Sequence, residues 1–412
     1  MFSTKIKVSV LTAAAVAMFA PLNQANATNG QLPTCVGTYK CGMGGAGLTI
    51  ASDPTAATIN PALAARMGNS GIINAGWFHA DVERNIPSSN GSLANTAGGQ
   101  QKSDASDFLN ASMGVNYRVG DNLGLNVSFY PGGGGATDWN NSRTAGSAQE
   151  TLSDDRDIRW RMFNLQLAAA WAPNDTSSYG LGVILNRADM KTTAVYGASN
   201  GLPTTNLNPG VVDVAYGAGF QIGGVWDVYP TVSLAADYHS QVYMERFHKY
   251  RYVFLSSVNR PATLSFGMDY KYSPETVIAL DFKHVMQDAI STMNSTPAAG
   301  GFGWDNMNII MLGVQHQLND DLQLRAGWNY GNSPIRDDRT FANILFPAIV
   351  EHHFTAGGTY KMDALEFGLS AYVTPTRKQT DPGTGDGYSV MGKDSWISHR
   401  QYGSQLSVKY NF

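Results

Sequence analysis

The chain has 412 residues, of which 15% are charged, 11% are aromatic and 44 are glycine. Its formal net charge of −4 offers no basic surface for a nucleic-acid partner, and we expect none. Mean hydropathy is −0.20, and no stretch beyond residue 27 has 18 uninterrupted apolar residues, so we expect no transmembrane helix in the mature chain.

The first 27 residues have the layout of a secretory signal peptide. Lys5 and Lys7 form a basic start, residues 8–20 are apolar, and residues 25–27 (Ala-Asn-Ala) form a cleavage motif. An uncleaved anchor is the alternative, but the apolar run is short for a membrane span. We therefore predict export and removal of residues 1–27, which leaves 26 basic and 32 acidic residues.

The two cysteines, Cys35 and Cys41, lie six residues apart near the mature N-terminus. In an exported protein this spacing favours a small disulfide loop. A metal site would need further ligands nearby, and the sequence offers none, so we expect no metal. Residues 32–35 weakly match a lipoprotein attachment motif, but the apolar part of the signal peptide ends well before them.

Period-two alternation of apolar and polar residues recurs after residue 69. One stretch places Leu322, Leu324 and Trp328 on one face of a strand, with Gln323 and Arg325 on the other. Fourteen strands of this kind are predicted, near residues 70–84, 107–119, 122–131, 157–173, 178–197, 209–226, 231–247, 261–272, 275–288, 306–318, 321–332, 350–361, 364–376 and 397–412.

The connections between these strands alternate strictly between seven long loops and six tight turns. A soluble β-sandwich also has alternating strands, but it has no reason to sort its loops in this way. Short turns on the periplasmic side and long outer loops are typical of barrels in the outer membrane of Gram-negative cells. The fold class predicted is therefore all-β: a transmembrane antiparallel up-and-down barrel of about 14 strands over residues 70–412.

Aromatic residues fall near the predicted strand ends, where interfacial girdles lie in membrane barrels. Ordinary strand propensity for aromatics explains any single one of them equally well. The set comprises Trp77, Trp160, Trp171, Tyr179, Trp226, Tyr229, Tyr243, Tyr272, Trp328, Tyr372 and Tyr402.

Residues 28–69 do not alternate, and Pro54 and Pro61 interrupt any helix there. Fourteen strands enclose more space than side chains alone fill, so we predict that this segment plugs the lumen. Residues 42–47 (Gly-Met-Gly-Gly-Ala-Gly) match the dinucleotide-binding pattern, but no apolar strand precedes them and two prolines follow. Tight turns in a crowded lumen explain these glycines better.

The order of several motifs resembles the FadL family of outer-membrane transporters, which carry long-chain fatty acids and other hydrophobic compounds. Residues 42–47, residues 51–57 and Asn60-Pro61-Ala62 are similar to the N-terminal hatch of that family, and residues 324–335 and 353–357 to its late strands. The resemblance implies a fourteen-stranded barrel closed by a hatch. It further implies ligand capture at the outer loops, an inner pocket, and a side exit beside a kinked third strand.

The resemblance assigns roles to particular residues of this chain. Hatch and gating residues are Gly42, Gly44, Gly45, Gly47, Asn60, Pro61 and Ala62. The lateral exit would lie at Pro131, Gly132 and Gly133, where simple loop flexibility is the alternative explanation. Phe412, which ends an alternating stretch, resembles the signal recognised by the barrel-assembly machinery. Two apolar runs at outer loops predict substrate contacts, and packing between loops is the alternative explanation. The predicted contacts are Tyr250, Tyr252, Phe254, Leu255, Leu345 and Phe346.

Three functions are candidates for a barrel of this kind. A transporter of hydrophobic small molecules accounts for the plug and for the apolar outer loops. A general diffusion porin would lack the plug and would carry denser charge in its lumen, and a surface receptor or adhesin is the third candidate. The eight histidines are scattered without catalytic or metal-ligand spacing, so we expect no enzyme activity and no cofactor. Expected partners are a hydrophobic ligand, outer-membrane lipid and lipopolysaccharide, and the barrel-assembly machinery; we expect a monomer.

Overall fold

The structure is a computed structural model that describes residues 29–87, 99–140, 155–193, 210–251, 253–254 and 256–412. The predicted signal peptide and two predicted substrate contacts, Tyr252 and Leu255, lie outside the described residues.

The described residues form one closed antiparallel barrel of fourteen long strands, as predicted. Neighbours along the chain pair with each other, and the last strand returns to the first, with Ser70 opposite Asn411 and Asn85 opposite Trp396. Closure removes the unpaired edge that lipid does not tolerate. The long strands are β1 (Ser70–Ile86), β3 (Asp107–Val119), β4 (Leu123–Asn140), β5 (Asp155–Asn174), β6 (Ser177–Thr192), β7 (Asp213–Tyr229), β8 (Val232–His239), β10 (Ala262–Lys271), β11 (Thr276–Met286), β12 (Met307–Gln317), β13 (Leu322–Gly331), β14 (His352–Met362), β15 (Leu365–Val373) and β17 (Trp396–Asn411). Three short strands pair beside them: β2 (Gly99–Lys102) on β1, β9 (Tyr243–Met244) on β7 and β16 (Arg377–Thr380) on β17.

The two faces of the barrel wall have opposite chemistry. Outward side chains are large and apolar, and Ile73 and Leu406 are each 62% exposed. Inward side chains include buried polar groups such as Asn126, Gln221 and Arg325. An apolar outside around a polar inside is the arrangement of a barrel whose outer face meets lipid.

Helices are few and short. The N-terminal part has an α-helix at Gly37–Gly42 and 3₁₀ helices at Pro54–Thr58 and Pro61–Ala65. The outer loops have helical turns at Ser291–Asn294, Pro297–Ala299, Asp337–Arg339, Phe341–Asn343 and Gly387–Met391. Within the described ranges, no helix has both the length and the apolar character needed to cross a membrane.

Residues 29–69, here called the N-terminal segment, lie against the inward face of the strands. Asp53 and Asn60 cap its two 3₁₀ helices by accepting hydrogen bonds from Thr55 N and Ala62 N at 2.8 and 3.1 Å. Inward glycines of the wall make room for it. A Cβ atom at Gly124 would lie 2.0 Å from a backbone oxygen of this segment. The barrel and the N-terminal segment therefore pack backbone to backbone.

The third long strand differs from the prediction, which ended it at Pro131. β4 continues along β5 as far as Asn140. Pro131 lies opposite Phe163 and Gly133 opposite Met162, so Gly132 is an extra residue that forms a β-bulge. A bulge absorbs the missing N–H of a proline without ending the strand.

Candidate functional site

The barrel wall has an interruption between β3 and β4. These strands pair from Val119 opposite Leu123 up to Met113 opposite Phe129. Beyond Phe129, β4 remains paired with β5, whereas the outer part of β3 is paired only with β1 among the described strands. Contact resumes near the outer end, where Asp104 N donates to Asp138 O at 2.9 Å. We call the intervening stretch, residues 105–112 opposite 130–137, the wall window.

An aromatic cavity lies inside the barrel beside the wall window. Gly134 and Gly135 of β4 form part of its lining. Its aromatic side chains come from β1, β3, β5 and two outer loops: Phe78, Phe108, Trp160, Trp304 and Phe346. The Phe78 and Phe108 rings stack with centroids 4.8 Å apart, and Trp160 meets Phe346 edge-on at 6.0 Å. Such a lining suits an apolar, ring-shaped ligand.

A second, polar cavity borders the same part of β4. Tyr130, Pro131 and Gly132 line it from the wall. Charged or titratable side chains from elsewhere in the barrel also line it, namely Asp237, His239, Arg260, Lys283 and Asp281. Gln221 Nε2 donates to Asp237 Oδ1 at 2.8 Å, which satisfies one oxygen of that carboxyl group. The glycine bulge therefore adjoins both cavities, one aromatic and one polar.

The tip of the N-terminal segment lies between the two cavities. Gly30 and Gln31 line the aromatic cavity, and Leu32 lines the polar one. Gln31 is held at two points: its backbone oxygen accepts from Gly134 N at 3.0 Å, and its Nε2 donates to Gln287 Oε1 at 3.1 Å.

A disulfide joins this tip to the helix behind it. Cys35 and Cys41 are bonded, with Cα atoms 5.1 Å apart. Cys35 itself lines the polar cavity. Because the bridge links the start of the segment to helix Gly37–Gly42, it restricts independent movement of the tip.

The glycine motif at residues 42–47 contacts an anionic group, the side-chain carboxylate of a residue in the barrel wall. Gly47 N and Leu48 N both donate to Asp281 Oδ2, at 2.8 and 2.9 Å. Consecutive backbone N–H groups of this kind form an anion-binding nest. Lys40 lies nearby and donates to Gly47 O at 2.6 Å. Burial lowers the pKa of Lys40 to about 8, and the carboxylates of Asp53 and Asp281 oppose that effect.

The other predicted gating residues contact β6 and β7. Asn60 Nδ2 donates to Leu48 O at 3.1 Å and to Gly224 O at 3.3 Å. The backbones of Pro61 and Ala62 approach Gly180 so closely that a Cβ atom there would lie 2.3 Å from Ala62 N.

The predicted substrate contacts separate into two groups. Phe346 lines the aromatic cavity, and the loop that carries it is held inward by Thr137 Oγ1, which donates to Leu345 O at 2.9 Å. Leu345, Tyr250 and Phe254 belong to the surrounding apolar cluster without lining the cavity. The Tyr250 hydroxyl donates to Val211 O at 2.5 Å, a contact between loops.

Most of the cavity lining was not predicted. The prediction that Trp160 belongs to the interfacial girdle is wrong, because this side chain points inward and is 2% exposed. The outward Trp171 lies eleven residues later on the same strand, and an odd separation puts two residues on opposite faces. Gln31 had no periodic pattern to mark it. Over the described part of the chain, histidine, cysteine, aspartate and glutamate form no group of three or more that could hold a metal.

Comparisons with known proteins agree with this architecture. The sequence profile of the family described as "Outer membrane protein transport protein (OMPP1/FadL/TodX)" matches residues 16–280. A search of curated proteins finds no match. Similar solved structures include a Pseudomonas aeruginosa FadL homologue, with 15% identity over 93% of this chain and 100% of that chain and a TM-score of 0.68.

Two further solved structures resemble the barrel. The Ralstonia pickettii toluene transporter TbuX is 14% identical over 92% of this chain and 99% of its own, with a TM-score of 0.66. The Pseudomonas putida toluene transporter TodX is 15% identical over 94% and 100%, with a TM-score of 0.68. These likenesses show the fold. Because the family profile spans more than half of the chain, the protein belongs to the outer membrane protein transport family (OMPP1/FadL/TodX) and is a transport protein of the Gram-negative outer membrane, not an enzyme.

Proposed function

We propose that this protein carries small hydrophobic molecules inward and releases them sideways through the wall window. One observation carries the proposal: Gly134 and Gly135 line the aromatic cavity at the stretch where β4 does not pair with β3. A ligand bound among the aromatic rings would thus lie beside an interruption that faces lipid. An apolar molecule that leaves toward lipid avoids the cost of entering water.

We infer that residues 28–69 form a hatch that blocks the axial route. Its anchors support this role. Arg66 donates to Ser178 Oγ and Asp227 Oδ2, both at 2.8 Å, near the periplasmic turns. Asp281 of β11 holds the glycine motif to the barrel wall. Movement of the tip around Gln31, which contacts β4 at the bulge, would connect the aromatic cavity to the wall window.

The aromatic lining favours ring-shaped ligands. The solved relatives from Ralstonia pickettii and Pseudomonas putida are toluene transporters. The cavity here is walled by five aromatic side chains, which gain from stacked or edge-on contact with another ring. We therefore infer that monocyclic aromatic compounds are the preferred class and that the loops around Phe346 form the roof through which they arrive.

Uptake of radiolabelled toluene by cells tests this function. A side chain added at Gly135 would meet the Phe346 ring, since a Cβ atom there lies 3.2 Å from it. Gly135→Leu should therefore fill the cavity and suppress uptake. Gly71→Leu is the matched control, because the nearest atoms to its Cβ lie at ordinary distances of 3.8 and 3.9 Å.

Equal uptake by the two variants would contradict the proposed site. Planar-bilayer recordings distinguish the remaining alternative. A large steady ion current through the intact protein would favour a general porin.

A further inference from the structure

We propose that the aromatic cavity selects ring compounds that carry a hydroxyl group over hydrocarbons of the same shape. This inference rests on the proposed function, because it concerns the ligand held in the same cavity. It is carried by two buried polar atoms of residues that line the cavity beside its aromatic rings, Trp160 Nε1 and Gln31 Oε1.

Trp160 supplies an unused donor. Its side chain is 2% exposed and lines the cavity, and its Nε1 has no acceptor among the described residues. Neighbouring indoles behave differently. Trp139 Nε1 donates to Ile344 O at 3.2 Å, and Trp304 Nε1 donates to Asn343 Oδ1 at 2.7 Å. A buried indole normally finds a partner, so Trp160 is the exception among the three.

Gln31 supplies an unused acceptor. Its Nε2 is engaged by Gln287 and its backbone oxygen by Gly134, which fixes the residue at both ends. Its Oε1 accepts no hydrogen bond from the part of the chain that the structure describes, and the residue is 1% exposed. Trp160 and Gln31 thus add a fixed donor and a fixed acceptor to a lining whose other polar side chains, His399 and Gln401, contact each other at 2.9 Å.

A hydroxyl group matches this pair, because it both donates and accepts. Its oxygen would accept from Trp160 Nε1, and its proton would go to Gln31 Oε1, while the ring packs among the phenylalanines. A hydrocarbon would leave both atoms without hydrogen-bond partners. In a buried site, an unpaired polar atom costs more free energy than a hydrogen bond contributes. A carboxylate would satisfy the donor but has no proton for the acceptor. The chemistry thus favours phenols over both toluene-like and acid ligands.

The pair p-cresol and p-xylene tests this selectivity, because one hydroxyl replaces one methyl on the same ring. Isothermal titration calorimetry of the purified protein in detergent should show p-cresol binding roughly tenfold more tightly or better. Trp160→Phe and Gln31→Met should each reduce this preference by weakening p-cresol binding while leaving p-xylene binding largely unchanged. Trp226→Phe is the matched control, because its Nε1 donates to Tyr179 Oη away from the cavity.

Equal affinity of the intact protein for the two compounds would overturn the inference and leave the proposed function standing; the two atoms would then be satisfied by bound water. Failure of both compounds to bind would overturn the inference and the proposed ligand cavity together. The comparison on the intact protein needs no variant, so a folding defect in Trp160→Phe does not affect it. Heat-modified mobility on gels identifies such a defect.

Discussion

Gly134 N donates to the backbone oxygen of Gln31 at 3.0 Å, which joins the tip of the N-terminal segment to the strand that borders the wall window. The two residues are 103 positions apart in the sequence. Their hydrogen bond nevertheless connects the proposed plug directly to the proposed exit. A Cβ atom at the adjacent Gly133 would lie 2.4 Å from the same oxygen, so the approach depends on glycine. Movement of the tip must therefore displace β4, and movement of β4 must displace the tip.

Asp281→Ala should loosen the hatch. The change removes the carboxylate that accepts from Gly47 N and Leu48 N and leaves two buried N–H groups without this acceptor. We expect the free energy of unfolding to fall by about 3 kcal/mol. Steady conductance in planar bilayers should also rise, because the glycine motif is no longer held to the wall. Asp320→Ala, in an exposed turn, is the control. Unchanged conductance would show that Asp281 does not hold the hatch closed.

Removing the disulfide should free the tip of the N-terminal segment. The double variant Cys35→Ser with Cys41→Ser lacks the bridge between the tip and helix Gly37–Gly42. A loop this short contributes about 2 kcal/mol by restricting the unfolded chain. We expect more frequent current fluctuations in bilayers, and the same effect when reductant is added to the unmodified protein. A reductant effect that persists in the double variant would rule out the disulfide as its cause.

The sequence was sufficient for the barrel because lipid imposes a simple rule on every strand. Apolar side chains must face outward and the sheet must close, so alternation and the order of long and short loops predicted fourteen strands. The contact made by the glycine motif at residues 42–47 had no such rule behind it. Its actual anion, Asp281, lies more than 230 residues away, and no local pattern connects the two.

The site was less predictable because it depends on where distant strands meet. Pro131 and the glycines after it are typical of a strand end, and only the pairing with β5 shows a bulge that continues to Asn140. Strand parity relative to Trp171 could have placed Trp160 inside the barrel. Gln31 acts through its position at the end of a non-periodic segment, which sequence patterns do not reveal.

Phe412→Ala should reduce insertion into the membrane more than it reduces stability once folded. The Phe412 side chain is half exposed, and its backbone N–H, which the substitution retains, donates to Asn69 O at 3.0 Å. Its ring stacks on Tyr410 with centroids 6.1 Å apart. Heat-modifiable barrel in outer-membrane fractions should fall, whereas Phe412→Tyr should behave as the original protein. Normal insertion of the alanine variant would remove Phe412 from the assembly signal.

The lateral route is tested most directly by toluene uptake after deletion of Gly132, the extra residue of the bulge. The deletion removes the register shift between β4 and β5. It should therefore allow β4 to pair with β3 across the wall window. Deletion of Val228, the extra residue at the register shift between Asp227 and Tyr229, is the matched control, because that bulge lies near the periplasmic turn. We predict that cells with the Gly132 deletion take up toluene no faster than cells without the protein, while the Val228 deletion retains uptake and both barrels fold. Full uptake by a folded barrel that lacks Gly132 would contradict a sideways exit.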